Sequence, residues 1–291
     1  MSVGFKEEVL EEIVVNELRS SDYEELYPLI TPPHLGYVDE RLLKKVFKPE
    51  GPDVVTGLAL RASGRLVGCI GFIPKTRLDS DGKLVNTINL TCAVSHPDYR
   101  GYGLKLFRQL NKYDNTLFTV LSASEVSDAI FRKICKAKEE SNRFQILPES
   151  DESNKNRVEA FFGGDGFRYL DLEDKKLYFH HEDLECNQMV FKSGEQSCYI
   201  ITRKVILQGN LCSEIAYYNN EKFIVDHVND VSRILKEKEQ STFCVISYSD
   251  CPSNIIDADH QFNMKEPRIT FGIDSDLPFI SLHSENLIFG L

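Results

Sequence analysis

The sequence lacks any apolar run long enough to cross a membrane. None of its apolar runs approaches the length of about 18 residues that a membrane-spanning helix needs. The N-terminal segment carries Lys6, Glu7, Glu8, Glu11 and Glu12, whereas a secretory signal needs a basic start followed by an unbroken apolar stretch. We therefore expect a cytoplasmic protein that is neither secreted nor bound to a membrane.

The sequence also has fewer basic than acidic residues. The 291 residues include 34 lysines and arginines against 45 aspartates and glutamates, which gives a formal net charge of −11 at pH 7. An acidic surface disfavours binding to DNA, RNA or anionic membranes. We expect no nucleic-acid partner, although a local basic pocket for a phosphorylated cofactor is compatible with this overall charge.

The spacing typical of metal sites is missing as well. None of the eight cysteines forms a C-x-x-C pair. Several, such as Cys69 and Cys244, lie inside apolar runs, where cysteine acts as a small buried hydrophobe in a reducing compartment. The pair His180 and His181 would point to opposite faces of a strand, so we interpret it as part of a charged turn. No metal is expected.

Apolar patterning and turn residues predict two halves with a similar order of elements. In each half, a strand, a hairpin, a second strand, a helix and a further strand follow one another, over residues 54–121 and again over residues 197–248. Predicted strands also cover 167–172 and 176–180. A charged connector occupies residues 136–156. The sequence therefore predicts a mixed α/β fold with two domains, residues 1–145 and 146–291.

The segment between the long predicted strand over 84–94 and the next helix carries the clearest chemical signal. It reads His96-Pro97-Asp98-Tyr99-Arg100-Gly101-Tyr102-Gly103-Leu104. A pyrophosphate needs several converging backbone N–H donors and the N-terminus of a helix, and glycines allow the backbone to approach it closely. This context predicts a pyrophosphate-binding loop; the alternative is an ordinary glycine-rich turn before a helix.

This loop resembles motif A of the GNAT superfamily of N-acetyltransferases, whose signature is Arg/Gln-x-x-Gly-x-Gly/Ala. The signature runs here from Arg100 to Lys105, and the order of elements over residues 10–138 is also similar to that family. The resemblance implies a GNAT fold in the first half, with a mixed sheet that opens beside the long strand. It also implies a second, degenerate GNAT-like domain, because the second half has no glycine-rich loop.

The resemblance further implies that acyl-CoA lies in the opening of the sheet as a cosubstrate. Its pantetheine arm would pair with the backbone near Ala93, Val94 and Ser95. The implied pyrophosphate-binding residues are those of the loop: Arg100, Gly101, Tyr102, Gly103, Leu104 and Lys105. An amine acceptor would enter from the opposite side and attack the thioester directly.

Three positions depart from the family pattern. Lys105 replaces a small residue, and we expect it either to contact the phosphates or to lie along the surface. Ser95 stands where an apolar residue is usual, which a β-bulge at Val94–Ser95 would explain. Phe131 stands where the family often has a tyrosine that protonates the leaving thiolate, and phenylalanine has no proton to donate.

The residue that accepts the proton of the amine is left open by the sequence. His34, in the loop between the first two helices, and His96, beside the glycine loop, are candidates, because a base is most effective when its pKa is near the working pH. Asp128 is a third candidate, although an acidic residue near a helix N-terminus also stabilises the helix dipole. A water chain along the polar residues of the central strand is the alternative: Asn86, Thr87, Asn89 and Thr91.

The acceptor is the least defined part of the prediction. The layout of an active first half and a motif-free second half is similar to bacterial GNAT enzymes of surface-polysaccharide pathways, which N-acylate amino sugars, often while these are linked to a nucleotide. The resemblance implies that the second half forms a wall of the acceptor pocket, within one chain or across a homodimer. Alternatives are a peptide, polyamine or aminoglycoside acceptor, or a catalytically inactive CoA-binding protein.

Overall fold

Two mixed β-sheets organise the chain. The computed structural model describes residues 11–31, 39–51, 53–78, 81–140, 142–149, 158–257, 259–264, 268–273 and 277. Over these residues the first sheet has seven strands in the order β1-β2-β3-β4-β5-β14-β6. Their bounds are β1 (Ile13–Arg19), β2 (Val55–Ala62), β3 (Arg65–Leu78), β4 (Leu84–Ser95), β5 (Thr116–Val120), β6 (Lys138–Glu140) and β14 (Arg268–Gly272).

The second sheet also has seven strands over the described residues, in the order β13-β7-β12-β11-β10-β9-β8. Their bounds are β7 (Arg143–Ile146), β8 (Glu159–Phe162), β9 (Asn187–Ser193), β10 (Gln196–Leu207), β11 (Asn210–Tyr218), β12 (Phe243–Ser247) and β13 (Gln261–Asn263). The helices of the described chain are α1 (Tyr23–Ile30), α2 (Glu40–Phe47), α3 (Leu104–Leu110), α4 (Glu125–Cys135), α5 (Leu172–His181) and α6 (Glu221–Glu239). None of these helices is both long and apolar enough to span a membrane.

Helices cover both faces of the first sheet. On one face α1 and α2 bury Leu26 and Phe47; on the other α3 and α4 bury Leu106 and Phe131. The close approach of α2 depends on Gly71, since a Cβ at this position would lie 2.5 Å from the ring of Phe47. The sheet thus separates two cores, so each side chain on its strands faces either the layer of α1 and α2 or the layer of α3 and α4.

Strand β14 comes from the second half of the sequence but pairs with β5 and β6 of the first sheet. It adds Ile269 and Phe271 to the core beneath α3 and α4. The ring of Phe271 stacks on Phe118 of β5 with a centroid separation of 4.9 Å. The first sheet therefore needs residues from beyond position 145, and β7 at residues 143–146 belongs to the second sheet. The division of the chain at residue 145 stays a prediction.

The second half repeats the strand and helix order of the first, as the sequence predicts. Strands β9, β10 and β11 form an antiparallel meander, and α6 connects β11 to the parallel strand β12. The same arrangement joins β2, β3 and β4 through α3 to β5. Between β11 and α6 the chain has only Asn219 and Asn220, and the side chain of Asn220 caps the helix by accepting from the N–H of Phe223 at 3.1 Å. A glycine-rich loop is absent from this described connection.

Two strand predictions in the second half are wrong. Of residues 167–172, the first three lie in a 3-10 turn, Gly163–Tyr169, and the last begins α5, which also contains residues 176–180. The helix forms because Asp171 caps it, accepting from the N–H of Asp174 at 2.8 Å, and because its first turn is acidic. Local capping here outweighs the β propensity of the aromatic residues. The sequence also predicts short strands over residues 278–282 and 287–289, and these lie outside the described residues.

Candidate functional site

Strands β4 and β5 separate partway along their length. They are parallel neighbours, and their register pairs Asn86 to Asn89 with Thr116 to Thr119. Beyond this point β5 ends at Val120, whereas β4 continues to Ser95. In the described chain the last part of β4 therefore has no strand partner on the β5 side. We call this opening the fork; it is the open sheet that the sequence resemblance implies.

A β-bulge turns the backbone of β4 just beyond the fork. Cys92 has a φ of 49°, in the left-handed region that non-glycine residues seldom adopt. The register with β3 jumps there, from Gly71 opposite Thr91 to Cys69 opposite Val94. The bulge predicted at Val94–Ser95 thus lies two residues earlier. Because a bulge leaves backbone groups outside the ladder, the chain beside exposed Ala93 offers polar groups to a ligand in the fork.

The glycine loop follows β4 directly and lies at the surface. Residues 97–102 form a 3-10 turn that leads straight into α3, and the N–H of Gly103 donates to the carbonyl of Arg100 at 3.2 Å. Gly103 is buried, whereas the other residues of the loop that the sequence identifies are exposed: Arg100, Gly101, Tyr102, Leu104 and Lys105. The loop is accessible to a ligand that enters the fork.

The two loop glycines serve different purposes. A Cβ at Gly103 would lie 2.8 Å from the hydroxyl oxygen of Ser95, whereas a Cβ at Gly101 would meet nothing within 4 Å. Gly103 therefore allows α3 to pack closely on the end of β4, which also accounts for a small polar residue at position 95. Gly101 leaves open space beside the exposed backbone.

The side chain of Lys105 turns away from the loop. Its Nζ donates to the backbone carbonyl of Ile13 on β1 at 2.8 Å and lies 5.8 Å from the ring centroid of Tyr102. Of the two interpretations left open by the sequence, the observed conformation matches the lysine that lies along the surface. A role for Lys105 near phosphates would thus come from its backbone N–H and not from its ammonium group.

The predicted catalytic residues have other partners where the structure describes them. His96 accepts through Nδ1 from the N–H of Asp98 at 3.4 Å and thereby caps the 3-10 turn. The carboxylate of Asp128 accepts from Nε of Arg132 at 2.9 and 2.8 Å, so it forms an ion pair within α4. His34 lies outside the described residues. As side chains, His96 and Asp128 are occupied in local structural roles in this conformation.

The polar residues of β4 are split between the two faces of the sheet. Thr87, Asn89 and Thr91 are buried and point toward the layer of α1 and α2, as their alternation along the strand requires. Asn86 points the opposite way and is exposed. The side chain of Asn89 donates to the carbonyl and hydroxyl oxygens of Thr119 at the last paired position of the fork. Three of the four predicted residues therefore share one buried polar strip.

Phe131 is a core residue and does not point toward the fork. Its side chain is 1% exposed, and its ring lies 5.0 Å from Phe107 of α3 and 5.5 Å from Phe271 of β14. The position that the sequence aligns with the proton-donating tyrosine of the family therefore holds a packing residue. A donor to the leaving thiolate must come from another position or from water.

A cavity of 890 Å³ lies between the two halves of the molecule, next to the polar strip. Its walls come from α2, the start of β2, the middle of β3 and the C-terminal part of α5. Five cationic side chains line it: Arg41, Lys44, Lys45, Lys48 and Lys75. Sequence reasoning missed this cavity because its walls are far apart in the sequence. The signal it offered was the spacing of the four basic residues on and after α2, which places them on one helix face.

His180 also lines this cavity. Burial of the imidazole lowers its pKa, and the proximity of His181, Lys75 and Lys45 lowers it further. The ring is therefore neutral at pH 7 and can accept or donate a hydrogen bond. The residue interpreted from sequence as part of a solvated turn instead contributes to a pocket between the domains.

Several solved structures have a fold similar to that of this chain. A GCN5-related N-acetyltransferase from Anabaena variabilis ATCC 29413 has a TM-score of 0.60 at 10% sequence identity, covering 89% of this chain and 72% of that chain. One from Kribbella flavida has a TM-score of 0.57 at 11% identity, covering 91% and 72%. A probable N-acyltransferase from Enterococcus faecalis V583 has a TM-score of 0.56 at 13% identity, covering 90% and 72%.

These likenesses extend over both halves of the chain and establish a fold with two GNAT-like domains. No protein-family model matches the sequence, and no curated protein matches it in a sequence comparison. At identities of 10–13%, the likeness concerns the architecture, whereas the chemistry depends on the residues of the site itself.

Proposed function

We propose that the protein transfers an acyl group from acyl-CoA to a primary amine, which attacks the thioester directly. The observation that carries this proposal is the fork: β4 and β5 part after Asn89 and Thr119, a bulge at Cys92 follows, and an exposed glycine loop lies at the end of β4. Together these provide an opening in the sheet where the backbone of β4 has no strand partner on the β5 side, with an accessible loop at the end of β4.

The residues of the fork fit the chemistry of coenzyme A. The backbone at Ala93, Val94 and Ser95 would hold the amides of the pantetheine arm, and the N–H groups of the loop from Gly101 to Lys105 would hold the pyrophosphate, with that of Gly103 exchanging its bond to Arg100 for one to a phosphate oxygen. Open space beside Gly101 suits a bulky anion in contact with the backbone. When bound, the cosubstrate supplies an activated thioester whose thiolate leaves as the amide forms.

The acceptor that we propose is the amine of a nucleotide-linked amino sugar. In support of this, the second domain contributes α5 to the wall of the cavity beside the polar strip, so both halves line this space. The cationic lining of this cavity is unfavourable for a polyamine, an aminoglycoside or a basic peptide. Cationic acceptors of this kind are the alternative, and the experiment below compares them with nucleotide-linked amino sugars.

A catalytically inactive CoA-binding protein is the second candidate. The specific observation in its favour is the burial of Phe131 in the core, which removes the proton donor that the family often has on this helix. The modest basicity of a thiolate argues against this candidate. Because the pKa of a thiol is about 8.5, its thiolate can leave without a dedicated acid. The two candidates differ in turnover and not in CoA binding.

The experiment measures CoA binding and the release of free thiol separately. We expect acetyl-CoA or a longer acyl-CoA to bind, and thiol to be released with nucleotide-linked amino sugars faster than with spermidine or a lysine peptide. Binding of CoA without thiol release from any acceptor would support the inactive candidate. Failure of CoA to bind would overturn the proposal altogether.

A further inference from the structure

The cavity between the domains, defined above by α2, β2, β3 and α5, differs in charge from the rest of the protein. Five cationic side chains and only one carboxylate, that of Glu50, line it among the described residues, although the whole chain has a net charge of −11. On α2 and its C-terminal cap, Arg41, Lys44 and Lys48 are three and four residues apart, so they share one helix face. The cavity is therefore a local anion-attracting site.

The lysines of this cavity are available to a ligand. Lys44 and Lys48 are paired with Glu40 and Glu24 in exposed ion pairs of 2.8 and 2.6 Å. Exposed pairs of this kind contribute about 0–1 kcal/mol, so a more highly charged ligand can replace them. Lys45 forms a further pair of 3.4 Å with the exposed carboxylate of Asp183. Lys75 forms no ion pair within the described residues, and it reaches the cavity from β3.

The cavity lies one strand away from the fork and on the same face of the sheet. Ile73 in its wall is the direct cross-strand neighbour of Asn89, and Lys75 is the neighbour of Thr87. Such neighbours have Cβ atoms about 4.5–5.5 Å apart. The wall of the cavity on β3 therefore adjoins β4, the strand that carries the polar strip and one side of the fork.

The second domain adds an aromatic surface to this basic lining. Phe179 of α5 lines the cavity, and its side chain is 59% exposed. A large exposed aromatic ring beside lysines can stack with the flat ring of a nucleobase while the lysines hold its phosphates. The neutral imidazole of His180 stands next to it as a hydrogen-bonding group.

From this arrangement we infer that the cavity is the acceptor site, and that it selects an amine carried on an anionic nucleoside diphosphate. In this assignment Lys45, Lys48 and Lys75 hold the phosphates, Phe179 stacks on the base, and the amine is directed toward β4, which forms one side of the fork. The inference rests on the proposed acyl transfer for its chemistry, but binding to the cavity can be measured without any reaction.

The test uses the full chain, with uridine diphosphate and inorganic pyrophosphate as probes in calorimetric titrations. Lys75→Gln and Lys45→Gln are each expected to weaken binding of both probes by at least tenfold. Phe179→Ala is expected to weaken binding of uridine diphosphate by at least fivefold and to leave pyrophosphate unchanged. The matched control is Lys176→Gln, since this lysine is on α5 but outside the cavity, and its loss should change neither affinity.

Several outcomes would overturn the inference. These are an absence of measurable binding of either probe, cavity variants that bind like the control, and displacement of uridine diphosphate by CoA, since the two sites must be separate. A variant that has lost the near-UV spectrum of the folded protein is discarded, and Lys48→Gln is titrated in its place. If uridine diphosphate binds as expected but no thiol is released from acyl-CoA, the inference about the cavity stands and the proposed acyl transfer fails. If thiol is released equally with neutral amines and the lysine variants have no effect, the proposed acyl transfer stands and the inference about the cavity fails.

Discussion

The side chain of Asn89 donates to both oxygens of Thr119, to the carbonyl at 3.2 Å and to the hydroxyl at 3.1 Å. This contact joins β4 and β5 at the last position where the two strands are paired. Asn89 is 5% exposed, so the amide is held in a largely dry environment. The vertex of the fork is therefore fixed by a side chain and not by the backbone ladder alone.

Replacing Asn89 by alanine should damage both stability and turnover. The substitution leaves the half-buried polar atoms of Thr119 without this partner, which costs about 1–3 kcal/mol in the free energy of unfolding. A less well-fixed vertex should also lower kcat/KM for acyl-CoA by roughly tenfold or more. Urea unfolding and steady-state kinetics check the two effects. Asn86→Ala is the control, because this residue is on the same strand but exposed on the opposite face, and both values should stay close to those of the unchanged protein.

The two loop glycines should respond differently to substitution. Gly101→Asp places a carboxylate in open space beside the loop, so the protein should stay folded while its affinity for CoA falls by at least tenfold through repulsion of the pyrophosphate. Gly103→Ala drives a methyl group against Ser95 and should cost about 1–3 kcal/mol in stability. Thermal unfolding and CoA titration separate the two. Normal CoA affinity in Gly101→Asp would remove the loop from the binding site.

Phe271 tests whether β14 supports the fork. Truncation to Phe271→Ala removes a ring that packs on Phe118 and Phe131 and should cost about 3–5 kcal/mol, together with a loss of CoA affinity at 25 °C. Phe262→Ala is the matched control, since it removes a buried ring from the second sheet. The control should lose stability but retain CoA affinity under conditions where it is folded. Equal effects of the two variants on CoA binding would contradict a special role for β14.

Asp250 should make stability depend on pH. Burial raises the pKa of this carboxyl from 3.8 to about 7, with Glu214 adding to the rise and Arg268 and Arg77 opposing it. The folded state therefore binds the proton more tightly than the unfolded state, so this contribution to stability is complete below pH 3.8 and is lost as the pH rises to about 7. Asp250→Asn should remove this dependence and raise the unfolding free energy at pH 8 by about 1–2 kcal/mol.

Asp257 is the control for Asp250, because its pKa is shifted in the opposite direction. The pKa of Asp257 is lowered, mainly by the N–H of Asp259 and by His260, so its carboxylate stabilises the folded state above the usual pKa of the group. Asp257→Asn should therefore lower stability at pH 8 and leave it unchanged at low pH. Urea unfolding at several pH values measures both variants. A stability curve for Asp250→Asn parallel to that of the unchanged protein would refute the assignment.

The fold of the first half could be predicted because its local signals agree with one another. Ser63-Gly64 is typical of a hairpin turn, and the serines of residues 122–124 can cap the helix that follows. These signals and the glycine loop each mark a boundary that the structure reproduces within a few residues. The fork was implied by the family resemblance. Prediction failed for α5, where the cap at Asp171 outweighed the β propensity of the segment that follows.

The parts of the site that could not be predicted depend on contacts between distant segments. The cavity brings α2 together with α5, which are about 130 residues apart in the sequence, and no local pattern shows which helices will meet. The bulge at Cys92 follows from the register of β3 and β4, which composition does not determine. Likewise, nothing near Phe131 indicates that its ring faces Phe271 and not the fork.

The return of β14 to the first sheet has a consequence for how the protein is made. A nascent chain emerges from the ribosome N-terminus first, and its domains usually fold as units in that order. Here the strand beside β5 does not leave the exit tunnel until the whole second sheet has been synthesised. The edge of β5 stays unpaired during that time, so the first sheet can be completed only after the second sheet has been synthesised.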